Sequence, residues 1–427
     1  MRRRVAAAAL AVVPSVVLVL ALLAGSTALS SLGLQAGPPP TPVPPNGSPS
    51  PFLDRLSTPG DARTVPRVVA RSAMLVDLGS DQVLFQRDPG RPRPVASLTK
   101  LMTALIVLDR EAGRLHRRVR VHPDAVFGRN DYGAGSTLGL RAGERISVRD
   151  LLEGLLLGSA NDAAEALAIE EAGSESAFVE RMNARARALG MLRTRFASPH
   201  GLDDRGRSSA ADLLVLLRAA WRDPALRELV GERFASVRSN RVTRRRIQNR
   251  NVLLWLYRGA TGVKTGYTAD AGYCLIATAR RDDRELAVVV LGGREEVFSD
   301  AASLLNHGFA AFRRRTLVDE GEALGSVRIR GGSVPVVAGE RLDALVRVGQ
   351  EAAIERLLRG VPSAAYPPPT GSVVGTLRLD LAGAPVGRVP VVAADLAPPE
   401  EPSGSWWSRA AAAVSGAVAS VIGALTG

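Results

Sequence analysis

The sequence predicts an α+β domain, an antiparallel sheet flanked by helices and joined to a helical lobe, followed by a smaller all-β domain and a C-terminal amphipathic helix. Three observations predict it. Strand-like alternation stands near both ends of residues 65–315 with helix-period segments between, so one sheet has to be assembled from the two ends. Residues 316–396 change to short apolar runs broken by Gly and Pro. Residues 406–427 carry an apolar stripe at helical spacing.

From the N-terminus, Arg2-Arg3-Arg4 precedes an apolar run from Val5 to Ala24, and Ser26-Thr27-Ala28 offers a small-residue cleavage site. Residues 1–28 therefore read as an export signal, or as an anchor that stays uncut, since the run is long enough to span a bilayer. Either reading puts the body outside the cytoplasm, at the outer face of the cytoplasmic membrane or in the wall space. Residues 29–64 are rich in Pro, Gly and Ser without apolar periodicity, as a semi-rigid linker should be. Ala73 to Asp77 and Gln82 to Gln86 flank a Gly79-Ser80-Asp81 turn and predict a hairpin. Ser97 to Arg110 has Leu98, Leu101, Met102, Leu105 and Leu108 at three- and four-residue steps, which predicts a helix. Amphipathic segments follow at 148–157, 175–189 and 208–221, with no strand-like run between them. Strands are expected at 273–279 and 285–291 and a helix at 300–313, which closes the first domain.

The all-β prediction for 316–396 rests partly on a weak internal repeat. Gly325-Ser326-Val327-Arg328-Ile329 resembles Gly375-Thr376-Leu377-Arg378-Leu379, and Val334-Pro335-Val336-Val337-Ala338 recurs at 389–393. A second linker, 397–405, leads to the tail. There Trp407, Ala411, Val414, Val418 and Val421 share one helical stripe, and Trp406-Trp407 at its start suits a membrane-surface helix.

With 427 residues, of which 46% are hydrophobic and 23% charged, the chain is neither disordered nor a multi-spanning membrane protein. Its single cysteine, Cys274, excludes an intrachain disulfide, and it reads as a packed small hydrophobe on a strand. His116, His122, His200 and His307 show no HExxH spacing, so a zinc hydrolase is excluded. The net charge is +13, yet the basic runs Arg244-Arg245-Arg246 and Arg313-Arg314-Arg315 lack aromatic interleaving. They read as solvated faces, and nucleic acid is not expected as a partner. Of the 55 basic residues only Lys100 and Lys264 are lysine. Arginine stays protonated, whereas a desolvated lysine can act as a base, so these two positions carry the chemistry.

Ser97-Leu98-Thr99-Lys100 sets a hydroxyl and an amine one helical turn apart among apolar neighbours, a nucleophile beside a base. Gly158-Ser159-Ala160-Asn161-Asp162 brings a hydroxyl and an amide at a loop position after an apolar helix. The other lysine stands in Gly262-Val263-Lys264-Thr265-Gly266-Tyr267-Thr268, just before the strand that begins at Tyr273. In this order, S-x-x-K, S-x-N and K-T-G form the pattern of the penicillin-recognising serine acyl-transferases.

The chain resembles the low-molecular-mass penicillin-binding proteins, serine-type D-alanyl-D-alanine carboxypeptidases of the β-lactamase/transpeptidase-like fold. Phe196 to Asp203, Ala271-Gly272-Tyr273-Cys274 and Leu304 to Phe309 are also similar to recurrent stretches of that family, and the similarity extends from about Val65 to the C-terminus. The resemblance implies removal of the terminal D-alanine from peptidoglycan stem pentapeptides through an acyl-enzyme on Ser97. It further implies Lys100 as proton acceptor, Ser159 and Lys264 as a relay to the leaving D-alanine, and Asn161 as the group that positions Lys100 and the substrate amide. The backbone N–H groups of Ser97 and Tyr267 are the implied oxyanion hole. The substrate-binding set is Lys264, Thr265, Gly266, Tyr267 and an arginine for the terminal carboxylate. The sequence departs from the family here: an arginine often precedes the Phe of Phe-x-Asp-Ala, but Val297 precedes Phe298, so the nomination falls on Arg294. No cofactor or metal is implied. The implied partners are stem peptides ending in D-Ala-D-Ala, β-lactams as covalent inhibitors, and a membrane surface met through residues 406–427. His200 reads as a buried hydrogen-bonding residue near the site, having no acidic neighbours at ligand spacing.

Three alternatives stand beside this expectation. A class A β-lactamase shares the motifs but needs a glutamate-bearing loop, and Phe196 to Asp203 occupies that region without one. A non-catalytic wall-binding scaffold could keep the fold, and an endopeptidase would differ only in the leaving group.

Overall fold

The computed structural model describes residues 65–394 apart from 129–130, 132–135, 363, 365 and 382–383. The expected signal or anchor, both linkers and the amphipathic tail lie outside the described residues. The chain divides into two compact units, the first ending at Arg313 and the second beginning at Arg314.

In the first unit, β1 (Ser72–Asp77) and β2 (Val83–Arg87) form a hairpin. Two short ribbons follow in the helical region. One pairs β3 (Arg118–Arg120) with β4 (Arg145–Ser147), the other β5 (Phe234–Val237) with β6 (Arg245–Gln248). None of these four strands falls between residues 148 and 221, where helices follow one another as expected, and strands of three or four residues are too short to leave a period in the sequence. The main sheet is completed by β7 (Ala260–Thr268), β8 (Gly272–Arg281) and β9 (Arg284–Gly293), in the order β2-β1-β9-β8-β7 with every pair antiparallel. β1 and β9 meet with Ala73 opposite Val290, so strands from the two ends of the unit share one sheet.

The helices are α1 (Lys100–Arg110), α2 (Val148–Leu156), α3 (Asn161–Ala172), α4 (Glu175–Ala188), α5 (Ala210–Trp221), α6 (Pro224–Gly231), α7 (Leu253–Leu256) and α8 (Val297–Ala311). Helices α2, α4 and α5 each begin after a serine whose hydroxyl accepts a backbone N–H of the first turn, Ser147, Ser174 and Ser209. Two helix boundaries differ from expectation in ways that matter. Residues Ala96–Thr99 form a 3₁₀ turn and α1 starts only at Lys100. Asn161, expected in a loop, is the first residue of α3. Helix α1 is buried nearly all round, through Leu101, Met102, Leu105 and Leu108 among others, and the core of the unit runs from the sheet through it into the lobe.

The second unit begins within β10 (Phe312–Val318) and continues through β11 (Ala323–Ile329), β12 (Gly332–Ala338), β13 (Leu342–Arg347), β14 (Ile354–Gly360), β15 (Val373–Leu381) and β16 (Ala384–Ala393). A five-stranded sheet runs β11-β12-β16-β15-β14, and β10 pairs with β13. The sequence repeat has a structural meaning: its copies fall on β11 with β12 and on β15 with β16, and the two Val-Pro-Val-Val-Ala strands pair, Val337 opposite Val392. Val334, Val336, Val389 and Val391 are buried in this unit's own core. Arg313, Arg314 and Arg315 are exposed, the solvated face expected of a short basic run.

Candidate active site

The 3₁₀ turn decides how Ser97 and Lys100 meet. Side chains three residues apart eclipse in this conformation, and Lys100 Nζ lies 3.0 Å from Ser97 Oγ. The same amine donates to Asn161 Oδ1 at 2.7 Å and to the His200 carbonyl at 2.7 Å. Lys100 has no exposed surface. Burial above all, then the positive charges of Lys264 and Arg250, hold its amine well below the ordinary lysine range. A neutral amine has two N–H groups and one lone pair. Two acceptor-only oxygens take the N–H groups, so the lone pair is left facing the Ser97 hydroxyl.

Two glycines bring a flanking strand and a flanking loop in. A Cβ on Gly266 would stand 3.0 Å from the Ser97 nitrogen and 3.1 Å from the Val95 carbonyl oxygen, so only glycine lets β7 lie this close to the turn that carries Ser97. Gly201 has φ +82° and packs so tightly that a Cβ would stand 2.0 Å from the Ala96 oxygen. That packing, with the Thr103 hydroxyl donating to the Pro199 carbonyl at 2.6 Å, sets the His200 carbonyl over Lys100.

Lys264, on β7, is 1% exposed and lies in the same basin of positive charge; burial and then Arg250 depress its amine strongly. Ser97, Ser159, Thr265, Gly266 and Tyr267 all line one pocket. Ser159 sits there on a loop with φ 61°, a conformation rare for a side-chain-bearing residue and common where geometry serves a site. Asp162 secures this corner by accepting the backbone N–H groups of Leu138 and Leu140 at 2.9 and 3.0 Å. Tyr267 leans on Tyr273 with ring centroids 4.6 Å apart. None of the described residues lining the pocket is acidic.

Arg294 is exposed on the turn after β9 and is not among the lining residues. Val297 lines the pocket instead, and the guanidinium found there belongs to Arg250, which donates to Ser136 Oγ at 3.0 Å. Sequence reasoning missed Arg250 because it is one arginine among 53. A local signal existed: Asn249 and Asn251 flank it, both are buried, and Asn249 turns the chain by donating to the Val230 and Glu232 carbonyls while accepting the Asn251 N–H.

His200 contributes its carbonyl rather than its ring to the site. Burial and then Lys100 push the imidazole down to about 3, so it is neutral. Its surroundings differ from expectation, because Glu165 and Glu175 come from α3 and α4 to within 4.8 Å of it, the arrangement of a candidate cation site. The Leu202 N–H donates to His200 Nδ1 at 3.1 Å, which leaves the ring proton on Nε2. A protonated Nε2 offers the carboxylates a hydrogen-bond donor and offers a metal no lone pair. Cys274, 1% exposed on β8, also borders the pocket, with burial pushing its thiol up to about 12 and keeping it neutral.

Comparison with known proteins agrees with this geometry. The family model described as D-alanyl-D-alanine carboxypeptidase matches residues 60–295. The chain is 34% identical over 341 residues to the D-alanyl-D-alanine carboxypeptidase DacC of Escherichia coli, covering 77% of this chain and 84% of that one. It is also 34% identical over 263 residues to the E. coli D-alanyl-D-alanine endopeptidase, covering 61% of this chain and 80% of that one. Among solved structures, penicillin-binding protein 5 of Haemophilus influenzae superposes with a TM-score of 0.62 at 28% identity, covering 78% of this chain and 98% of that one.

Proposed function

We propose a division of catalytic labour from the premise that this chain belongs to the D-alanyl-D-alanine carboxypeptidase family. The chain is a serine D-Ala-D-Ala carboxypeptidase that binds penicillin. Its substrate is the D-Ala-D-Ala end of the peptidoglycan stem peptide. In the reading proposed here, Lys100 accepts the Ser97 hydroxyl proton as Oγ attacks the carbonyl carbon between the two D-alanines. The backbone N–H groups of Ser97 and Tyr267 stabilise the developing oxyanion. As the C–N bond breaks, the leaving amine takes a proton relayed by Ser159 and Lys264. Water then attacks the ester, giving its proton to Lys100, and the C–O bond to Ser97 breaks as Oγ is reprotonated. Asn161 holds Lys100 and receives the substrate amide, and Thr265 with Arg250 binds the terminal carboxylate, the role that the sequence had given to Arg294. The observation that carries this reading is the amine of Lys100, fully buried, with two oxygens taking its N–H groups and Ser97 Oγ at 3.0 Å.

None of the described residues lining the pocket is acidic, so none of them supplies a carboxylate to activate a deacylating water, which argues against rapid β-lactam turnover. Incubation with a penicillin followed by intact-protein mass spectrometry tests the assignment: a long-lived adduct on Ser97 is expected, together with D-alanine release from a pentapeptide. Loss of neither activity in Ser97→Ala would overturn it, and release by the wild type also separates the enzyme from a non-catalytic scaffold.

The same proposal extends to location. None of the described helices is long and apolar enough to cross a membrane. Arg2-Arg3-Arg4 with the apolar run to Ala24 supports export, and the Trp406-Trp407 tail supports a surface helix that tethers an all-β second domain to the outer membrane face. Fractionation of the full chain and of a chain ending at Ala394 tests this, with release of the shortened protein from membranes as the expected result.

A further inference from the structure

Beside the active site lies a second cavity of about 290 Å³ with an unusual lining: Arg71, Arg91, Arg93 and Arg207 converge on it against a single carboxylate, Asp270. The four arginines come from the start of β1, the segment leading to the nucleophile's turn, and the loop before α5, and the wall is closed by the β7–β8 turn. Among the described residues no ion pair engages Arg71, Arg91 or Arg207, and Arg93 meets Asp88 only at 3.8 Å. Arg93 is the best buried of the four, its side chain 20% exposed, and its Nε donates to Ser72 Oγ at 2.7 Å. Burial first, then the charges of Arg71 and Arg91, depress its guanidinium, so each of these two cations stands close enough to repel that of Arg93. An oxyanion placed among them would remove that repulsion and could be gripped by paired N–H donors.

The position gives the anion a source. Arg93 precedes Ser97 by four residues, so their α-carbons are at most ~14 Å apart even in a fully extended chain. Ala271, in the cavity wall, is joined to the active-site pocket through Cys274, whose thiol contacts the Ala271 carbonyl at 3.8 Å. A peptide acylating Ser97 can therefore reach the cavity with residues a few positions before its scissile bond.

We propose that this four-arginine cavity is an anion subsite for a carboxylate of the stem peptide N-terminal to the scissile bond, an inference that rests on the carboxypeptidase reading above.

The test uses the full chain and a triple variant, Arg71→Gln, Arg91→Gln and Arg207→Gln, three exposed positions outside the catalytic set. Two pentapeptides are compared, identical except that the carboxylate two or three residues before D-Ala-D-Ala is free in one and amidated in the other. Losing charged hydrogen bonds of this kind should lower kcat/KM for the acidic peptide about 10-fold or more, mainly through KM, and leave the amidated peptide within about twofold. Penicillin acylation, measured by mass, should be unchanged and reports that the variant is folded. In parallel, glycerol phosphate is titrated calorimetrically into both proteins. Discrimination between the peptides assigns the site to the substrate's carboxylate, and phosphate binding lost in the variant without peptide discrimination overturns that assignment in favour of a phosphate polymer. Equal effects on both peptides, or none, with phosphate binding absent or unaltered, overturn the subsite. If the wild type acylates with penicillin but releases no D-alanine, the carboxypeptidase reading fails while the titration still decides the cavity.

Discussion

The amine of Lys100 and the carbonyl oxygen of His200 stand 2.7 Å apart although 100 residues of chain separate them. The contact ties the helical turn that carries Ser97 and Lys100 to a loop that shares no secondary structure with it. It also orients the amine: a buried, neutral amine that gives its N–H groups to His200 and Asn161 keeps a lone pair for Ser97.

Replacing Lys100 with arginine tests that account directly. A guanidinium cannot give up its charge in a protein and has no lone pair to offer, so Lys100→Arg should slow penicillin acylation about 100-fold or more. Lys100→Met, which fills the same buried volume without a base, should be equally slow and should keep its melting temperature near the wild type's. Rapid adduct formation in either variant, followed by mass spectrometry, would rule out Lys100 as the proton acceptor.

The pH dependence has a definite sign. In the proposed mechanism acylation needs the neutral amine, whose proton affinity is lowered by burial, Lys264 and Arg250, so the rate should fall on the acid side and hold as pH rises. Asn161→Asp places a carboxylate 2.7 Å from Nζ, which favours the ammonium form. The acid limb of the acylation profile should therefore move to higher pH in that variant. An unmoved limb would mean that the profile reports another group.

Gly201→Ala probes the loop side of the same contact. The new methyl would meet the Ala96 carbonyl at 2.0 Å, and φ +82° is unfavourable for alanine. A backbone shift is the only relief, so the variant should lose roughly 1–3 kcal/mol of stability and acylate more slowly because the His200 carbonyl moves off Lys100. Denaturant melts and adduct kinetics measure the two effects. A stable variant with unchanged kinetics would show that the loop is not what orients the base.

How much of this could be read from the chain follows from how local each signal is. Ser97 with Lys100, and Ser159 with Asn161, sit within one turn of each other, and two lysines among 53 arginines mark their own importance. Strand β7 escaped although Thr261, Val263, Thr265 and Tyr267 alternate along Ala260–Thr268, because Gly262, Lys264 and Gly266 between them read as a loop motif, and Gly266 is there to let the strand approach Ser97. Arg250 had no compositional contrast. The carboxylates around His200 arrive from two helices whose relative placement is set by core packing, which no spacing rule reports.

Arg250 and Arg294 make competing predictions for the terminal carboxylate. Arg250 lines the pocket beside Thr265, and Arg294 is exposed outside it. Arg250→Leu should lower kcat/KM about 100-fold for a peptide with a free C-terminal carboxylate and much less for its C-terminal amide, since only the former loses a charged partner. Arg294→Ala should leave both within about twofold. The reverse pattern would restore the sequence-based assignment.

Glu165 supplies a stability test that does not depend on catalysis. It is 6% exposed, and its Oε2 has no hydrogen-bond partner among the described residues. Burial first, then Glu175 and Asp124, push its carboxyl up to about 8. A folded-state value above the unfolded one means that the native protein holds a proton which the unfolded chain has released. Stability from this group is therefore complete below the unfolded value near 4.5 and is lost as pH rises through about 8. Glu165→Gln stays neutral throughout, so it should match the wild type at pH 4 and exceed it at pH 9 by on the order of 2 kcal/mol. Thermal melts across that range measure the difference. A gap that is constant with pH would mean that Glu165 is ionised in the native state, held as a carboxylate by the ring proton of His200.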